Sequence, residues 1–182
     1  VRLSPMGGGG SLLIIDEEHA RIAPEAARPM VFDFALMDQA SGATPEATPL
    51  RALSYAVFDT ETTGLLPHKD EIVQLGAVRV VNGRIVPGEA LDLLVDPGRP
   101  IPAASSAVHH VTDAMVAGQP DIVLVARQFH AFARGSVIVA HNAPFDMAFL
   151  RRHAARCGVT WDHPILDTVL LSAVLFGAGQ PH

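Results

Sequence analysis

Two carboxylates one residue apart follow a short apolar run in YAVFDTETTGLLP, residues 55–67. Residues two apart in a β-strand point to the same side, so Asp59 and Glu61 present their carboxylates side by side while Thr60 points away. Because like charges repel, the pair becomes favourable when a divalent cation lies between them, and oxygen-only ligands suit Mg²⁺ or Mn²⁺. Taken alone, the pair fits a solvated strand end as well as a metal site.

A second polar group follows a later apolar run, in VIVAHNAPFDMAFL. This pattern predicts a strand that ends at His141 and Asn142, then a helix with Asp146 in its first turn, where the helix dipole favours a negative charge. Asn142 is also predicted to cap this helix, with Pro144 in the first turn. If the two strands are neighbours, three carboxylates meet, and bound metal relieves their repulsion.

Hydrophobic periodicity predicts the strands and helices that position these residues. After the first strand, EIVQLGAVRVVNGRIVPGEALDLLVDPG predicts antiparallel strands with a hairpin turn at Asn82-Gly83. PDIVLVARQFHAFARG predicts a helix capped by Gly135, with a buried face of Ile122, Val125, Phe129 and Phe132.

The rest of the chain predicts two more helices. The helix with Asp146 ends at Gly158, and its apolar stripe is Met147, Leu150, Ala154 and Cys157. ILDTVLLSAVLF predicts a further helix, although its apolar run also fits a strand. Strands first, then alternating helix and strand, predict a mixed-sheet α/β domain over residues 51–182. Residues 1–50, with GGGG and ASGATPEATP, are interpreted as a linker or the end of a preceding unit, without an assigned fold.

Composition limits the class of protein. The chain has 182 residues, 49% of them hydrophobic and 18% charged, which predicts one soluble globular domain. No apolar run approaches the roughly 20 residues of a membrane helix. A net charge of −6 lacks the basic surplus typical of duplex-binding proteins, so contact with nucleic acid has to be local or carried by metal ions. The single cysteine, Cys157, suits a reducing compartment such as the cytoplasm.

Four motifs, in this order and spacing, resemble the DEDD-type 3′–5′ exonucleases of the DNA polymerase III epsilon and RNase T family. They are FDTETTGL, VHHVTDAMV, HNAPFDMAFL and LDT, at residues 58–65, 108–116, 141–150 and 166–168. The resemblance implies an RNase H-like mixed sheet flanked by helices. It also implies hydrolysis with two metal ions, Mg²⁺ or Mn²⁺, that removes nucleotides from the 3′ end of nucleic acid. DNA is expected as the substrate in preference to RNA. The implied partners are a single-stranded 3′ end and a fused domain or polymerase.

The resemblance assigns metal and catalytic roles to the three carboxylates. Asp59 is expected to bridge the two metals and Glu61 to bind one of them. Asp146 is expected to support the site directly or through water. In such a site one ion activates the attacking water and the other stabilises the departing 3′ oxygen.

Five further positions are expected to bind substrate. Leu65 matches the position that wedges against the terminal bases, His109 matches a histidine near the terminal nucleotide, and Asn142 matches a substrate-facing asparagine. Thr60 and Thr62, inside the first motif, complete this group.

The chain also departs from the family pattern. His110 stands where the family more often has glycine, and Ala104 where many members have glutamate. The last family motif, a histidine followed five residues later by an aspartate, lies beyond His182, so we expect a domain incomplete at its C-terminus that binds metal weakly and hydrolyses DNA poorly. Asp167 is predicted to be structural and not the fourth ligand.

Two other functions fit parts of the sequence. One is a catalytically inactive module that binds nucleic acid or protein. The other is a phosphatase of the haloacid-dehalogenase type, which needs a later lysine, whereas no lysine follows Lys69. Arg151, Arg152 and Arg156 are candidates for phosphate contact, although a solvated helix face is the simpler interpretation.

Overall fold

The computed structural model describes residues 2–6, 10–14 and 48–176, which belong to two units, Val1–Phe32 and Asp33–His182. In the first unit, β1 (Arg2–Met6) pairs antiparallel with β2 (Gly10–Ile14), a hairpin that the composition of residues 1–50 does not predict. The apolar segment MVFDFALM, residues 30–37, and His182 lie outside the described residues.

The second unit contains a five-stranded mixed sheet. Its strands are β3 (Ser54–Thr62), β4 (Ile72–Val81), β5 (Arg84–Leu94), β6 (Val137–Ala140) and β7 (Ile165–Asp167). Their order across the sheet is β5-β4-β3-β6-β7. The first three strands pair antiparallel, whereas β6 pairs parallel with both β3 and β7. The predicted mixed sheet is therefore confirmed.

The predicted hairpin turn between β4 and β5 is also confirmed. Val81 pairs with Arg84 across a two-residue loop, in which Asn82 has φ 51° and Gly83 has φ 71°. Positive φ at both central residues is typical of a type I′ turn, which asparagine and glycine adopt readily.

Within residues 48–176, five α-helices flank or follow the sheet: α1 (Ala103–His109), α2 (Asp113–Val116), α3 (Ile122–Phe132), α4 (Ala143–Cys157) and α5 (Thr168–Phe176). The predicted face of α3 is buried, and Phe132 is partly buried at its end. The prediction that Gly135 caps α3 is wrong. The helix ends at Phe132, and Ala133 caps it in a right-handed conformation. Gly135, with φ 72°, instead lies in the turn into β6. No helix within residues 48–176 is long and apolar enough to cross a bilayer.

The predicted bounds of α4 are confirmed. Asp146 lies in its first turn, and Gly158 ends it with φ 64°. Met147, Leu150 and Cys157 from the predicted stripe are buried, while Ala154 is partly buried against the same core.

The segment ILDTVLLSAVLF combines both of its predicted structures. Ile165–Asp167 pairs with β6 as a strand, and α5 begins at the next residue, Thr168. Periodicity alone does not separate the two, because the strand exists only where β6 supplies backbone partners.

His110 lies at a backbone position that favours glycine. His110 caps α1 with φ 63°, a left-handed conformation that costs non-glycine residues free energy. We expect His110→Gly to raise the free energy of unfolding by about 0.5–1 kcal/mol. Ala107→Gly, inside the same helix, is expected to lower it by a similar amount, about 0.5–1 kcal/mol. Urea denaturation of both variants checks the prediction, which a loss of stability in His110→Gly would contradict.

Candidate active site

The pairing of β3 with β6 brings the predicted site together. The two strands run parallel, with Tyr55 opposite Val137 and Val57 opposite Val139, so their carboxyl ends meet at one edge of the sheet. Along β3, side chains alternate as predicted: Thr60 is buried, whereas Asp59 is exposed and Glu61 is partly exposed.

Asp146 reaches the same edge from the first turn of α4, and only 2% of its surface is exposed. The Thr60 hydroxyl on β3 donates a hydrogen bond to its Oδ1 at 2.5 Å. Burial raises the pKa of Asp146; the Thr60 hydrogen bond opposes this rise, and the charge of Asp59 adds to it. The carboxylates of Asp59 and Asp146 are therefore close enough to repel each other.

A neutral side chain at position 146 is expected to stabilise the metal-free chain. Because the folded state raises the pKa of Asp146, it binds that proton more tightly than the unfolded chain, and this contribution is lost as pH rises from about 3.9 towards the folded pKa. Asp146→Asn can still accept the Thr60 hydrogen bond. We expect its free energy of unfolding at pH 7, measured by urea denaturation, to exceed that of the parent by on the order of 1 kcal/mol. Below about pH 3.9 the two are expected to be equally stable.

The matched control is Asp92→Asn, at an exposed position of β5. Its stability is expected to stay within about 0.5 kcal/mol of the parent at every pH. A pH dependence of stability in Asp146→Asn that equals that of the parent would contradict the prediction.

The loop after β3 explains the threonine pair and the glycine. Thr63 exchanges hydrogen bonds with Glu71: its N–H donates to the Glu71 carbonyl at 2.8 Å, and its hydroxyl accepts from the Glu71 N–H at 3.1 Å. A Cβ on Gly64 would lie 2.5 Å from Oδ2 of Asp70, so no larger residue fits without displacing Asp70. This closed loop holds the next residue, Leu65, on the surface with 78% exposure.

The predicted substrate-binding residues fall into two groups. The hydroxyls of Thr60 and Thr62 are used within the protein, since both residues are buried and Thr62 donates to the Gly64 carbonyl at 2.7 Å. Leu65 and Asn142 are exposed. Both belong to the edge where β3 and β6 end.

Asn142 offers an accessible amide, whereas the ring nitrogens of His109 are hydrogen-bonded or buried. Asn142 occupies the predicted N-cap position of α4 with φ 58° and Pro144 lies in the first turn, although the Asn142 side chain makes no capping hydrogen bond. Nδ1 of His109 accepts from the Val111 N–H at 3.1 Å. Its Nε2 is buried and has no hydrogen-bond partner among the described residues.

Asp167 has the structural role that was predicted for it. Its Oδ1 accepts hydrogen bonds from the backbone N–H groups of Asn142 at 3.1 Å and Val169 at 2.9 Å. One carboxylate thus joins the start of α4 to the start of α5. A carboxylate that accepts two backbone hydrogen bonds is already committed to the fold.

Of the three candidate arginines, Arg152 is used within the protein. It forms an ion pair with Glu71 at 2.5 Å and donates to the Pro67 carbonyl, tying α4 to the loop after β3. Arg156 contacts Nδ1 of His153 at 3.2 Å, and Arg151 is exposed. Sequence spacing could not reveal the Arg152 contact because its partner lies in a distant loop.

The donor set fits divalent cations. All three side chains offer carboxylate oxygens, and cations would relieve the repulsion between Asp59 and Asp146. Within residues 48–176, oxygens of Asp59, Glu61 and Asp146 are not all within 4.8 Å of one another. An ion held by all three carboxylates would therefore require their side chains to move closer together.

Comparisons with known proteins agree with the motifs. The family described as "RNase_T: Exonuclease" matches residues 56–180. A DNA polymerase III subunit epsilon-like protein of Rhodobacter capsulatus is 59% identical over 85% of the chain, which spans 22% of that protein. A PolC-type DNA polymerase III of Clostridium perfringens is 40% identical over 67% of the chain, which spans 8% of that protein.

Solved structures share the fold. Exonuclease I matches with a TM-score of 0.60 at 18% identity, covering 71% of this chain and 32% of that one. Exonuclease X, in complex with 5′ overhanging duplex DNA, matches with a TM-score of 0.53 at 33% identity, covering 68% and 65%. The chain therefore belongs to the exonuclease family of RNase T and the DNA polymerase III epsilon subunit, and its domain has the RNase H-like fold that the motifs imply.

Proposed function

We propose that residues 51–182 form an exonuclease domain that removes nucleotides from the 3′ end of DNA, with Mg²⁺ or Mn²⁺ bound by Asp59, Glu61 and Asp146. The observation that carries this proposal is the parallel pairing of β3 with β6. It sets two accessible carboxylates beside a buried third one, which is the charge arrangement that a divalent cation stabilises.

Each carboxylate contributes differently. Asp59 and Glu61 are open to solvent and hence to a phosphodiester, whereas Asp146 is held in place by the Thr60 hydroxyl. Bound divalent ions supply the positive charge that polarises the scissile phosphate and activates water. The protein itself contributes position, because β3 and α4 hold the three groups before substrate arrives.

The terminal nucleotide is proposed to lie between Leu65, His109 and Asn142. The exposed Leu65 offers an apolar surface to a terminal base, and Asn142 offers an amide that is free of a capping role. The Nε2 of His109 is buried and has no partner among the described residues, so it would have to become exposed to donate to a phosphate or sugar oxygen. Thr60 and Thr62 support this site from within the protein, since their hydroxyls are already bonded.

DNA is proposed as the substrate because relatives are described as DNA polymerase III proteins and because exonuclease X was solved with duplex DNA. The same relatives suggest a polymerase partner or a fused domain, to which residues 1–50 would be the linker. A single-stranded 3′ end is proposed because an unpaired terminal base can pack against the exposed Leu65. The cytoplasmic location stays a prediction.

The test is trimming of a 5′-labelled single-stranded DNA by the 182-residue chain and by any longer chain that its gene encodes. Mg²⁺ or Mn²⁺ is expected to produce a ladder shortened from the 3′ end, slowly with the 182-residue chain, which lacks the last family motif, and faster with a longer chain. A 3′-blocked DNA is expected to stay intact, and RNA of the same sequence to be cut more slowly. Binding of DNA without cutting by the longer chain at saturating metal would instead establish a binding module, and shortening from the 5′ end would overturn the polarity.

A further inference from the structure

A second group of metal-binding side chains lies away from the carboxylates. His130 lies in the last turn of α3, and Asp162 and His163 lie between α4 and β7. One ligand atom of each lies within 4.8 Å of the other two. The two histidine rings are 5.1 Å apart and nearly perpendicular. Within the described part of the chain, no other three His, Cys, Asp or Glu side chains meet this condition.

This group lies at the opposite end of the sheet from the carboxylates. It borders a cavity of about 410 Å³ whose lining includes Ser54 and Val137, the first residues of β3 and β6. Asp59 is five residues further along β3, or roughly 16 Å away at the rise of an extended strand. The two sets of ligands therefore cannot share an ion.

Packing holds the histidines in place on both sides. Trp161 is buried, and its ring lies 5.7 Å from Phe129 and 5.2 Å from His130. On the other side, the Ile138 N–H on β6 donates to the Pro164 carbonyl at 2.9 Å. The segment that contains Asp162 and His163 is thus anchored at both ends, and such preorganisation favours binding.

His163 has an unused polar atom. Its side chain is nine-tenths buried, and its Nδ1 has no hydrogen-bond partner among the described residues. That nitrogen lies 3.9 Å from Oδ1 of Asp162, too far for a hydrogen bond. An imidazole nitrogen without a hydrogen-bond partner can offer its lone pair to a metal.

The tautomer of His130 follows from its partner. Nε2 of His130 lies 3.1 Å from the Thr160 carbonyl, which can only accept, so Nε2 carries the proton. In the neutral form of this ring the free lone pair is on Nδ1. A backbone carbonyl that orients a histidine in this way is the usual support of a metal-binding imidazole.

We propose that His130, Asp162 and His163 bind a Zn²⁺ ion, with a fourth position open to water or a small anion. Two imidazoles and one carboxylate suit Zn²⁺, whereas Mg²⁺ prefers oxygen ligands alone. Ligands around a tetrahedral Zn²⁺ are roughly 3.4 Å apart, so the group has to contract slightly. Asp162, whose side chain is 80% exposed, is free to make that movement.

The experiment measures binding of Zn²⁺ and Co²⁺ to the 182-residue chain that carries Asp59→Asn and Glu61→Gln, so that the carboxylate site does not contribute. We expect one equivalent of Zn²⁺ to bind, Co²⁺ to give a visible absorption band, and millimolar Mg²⁺ not to displace either ion. His163→Gln is expected to weaken Zn²⁺ binding at least about tenfold. His68→Gln, at an exposed histidine outside the group, is expected to leave it unchanged.

Loss of the His163 packing by itself would disturb the fold, so a second variant changes the exposed ligand, Asp162. Asp162→Ala is expected to keep the melting temperature of the zinc-free parent and to lose the rise that Zn²⁺ causes. Binding as tight as the parent in both Asp162→Ala and His163→Gln would overturn the proposal. Equal weakening by His68→Gln would also overturn it, because the ion would then bind surface histidines at random.

Discussion

Asp59→Ala is expected to lower the rate of 3′ trimming about 10³-fold while leaving the fold intact. A metal site supplies several kcal/mol of transition-state stabilisation, and each 1.36 kcal/mol is a factor of ten in rate. Asp59 is exposed, and its side chain makes no hydrogen bond within residues 48–176. Its loss therefore leaves no buried group unpaired. Trimming of a labelled DNA in Mg²⁺ and in Mn²⁺ measures the effect in the more active of the 182-residue chain and the longer chain, and thermal unfolding checks the fold.

The matched control for this variant is Asp92→Ala. Asp59 pairs with Gly76 of β4, and Gly76 pairs with Asp92 of β5, so the two aspartates lie on one row across the sheet. Asp92 is also exposed, and it accepts a hydrogen bond from Gln74. We expect Asp92→Ala to trim within about twofold of the parent, since surface substitutions usually change little. Equal losses in both variants would mean that general charge, and not a metal site, governs the rate.

Phe129→Ala is expected to lower the free energy of unfolding by about 3–5 kcal/mol, the range measured for large-to-small changes in a core. Phe129 is fully buried on α3, and its ring lies 4.5 Å from Phe58 and 5.7 Å from Trp161. The truncation removes contacts with β3 and with the segment after α4 together. For a chain of this size the melting temperature is expected to fall by roughly 6–20 °C.

Phe176→Ala is the matched control, because Phe176 ends α5 with 69% of its surface exposed. Its free energy of unfolding is expected to stay within about 0.5 kcal/mol of the parent. Urea denaturation with unchanged m-values would show that both variants still unfold in one transition. A loss below 1 kcal/mol in Phe129→Ala would be inconsistent with the packing of α3 on the sheet.

Phe129→Ala is also expected to affect the carboxylate site, because Phe58 immediately precedes Asp59 on β3. A cavity beneath Phe58 allows the end of β3 to move, and small displacements of catalytic groups are costly. We therefore expect trimming by Phe129→Ala to fall even at temperatures where the variant stays folded.

Sequence patterns within single segments determined much of the secondary structure and the spacing of the candidate site residues. The spacing of Asp59 and Glu61, the Asn82-Gly83 turn and the apolar face of α3 each depend on neighbours in the chain, so the sequence alone predicted them. The motif resemblance then identified the exonuclease family before any contact was known. The boundary between β7 and α5 was not predictable, because both structures suit the same apolar run.

Only the tertiary structure decided which distant side chains meet. Thr60 and Asp146 are 86 residues apart, and their hydrogen bond depends on the register between β3 and β6. The pair of Arg152 with Glu71 and the meeting of His130 with His163 depend in the same way on how helices pack on the sheet. Local periodicity specifies which face of an element is buried, whereas a contact between two elements also requires their relative position, which no single segment encodes.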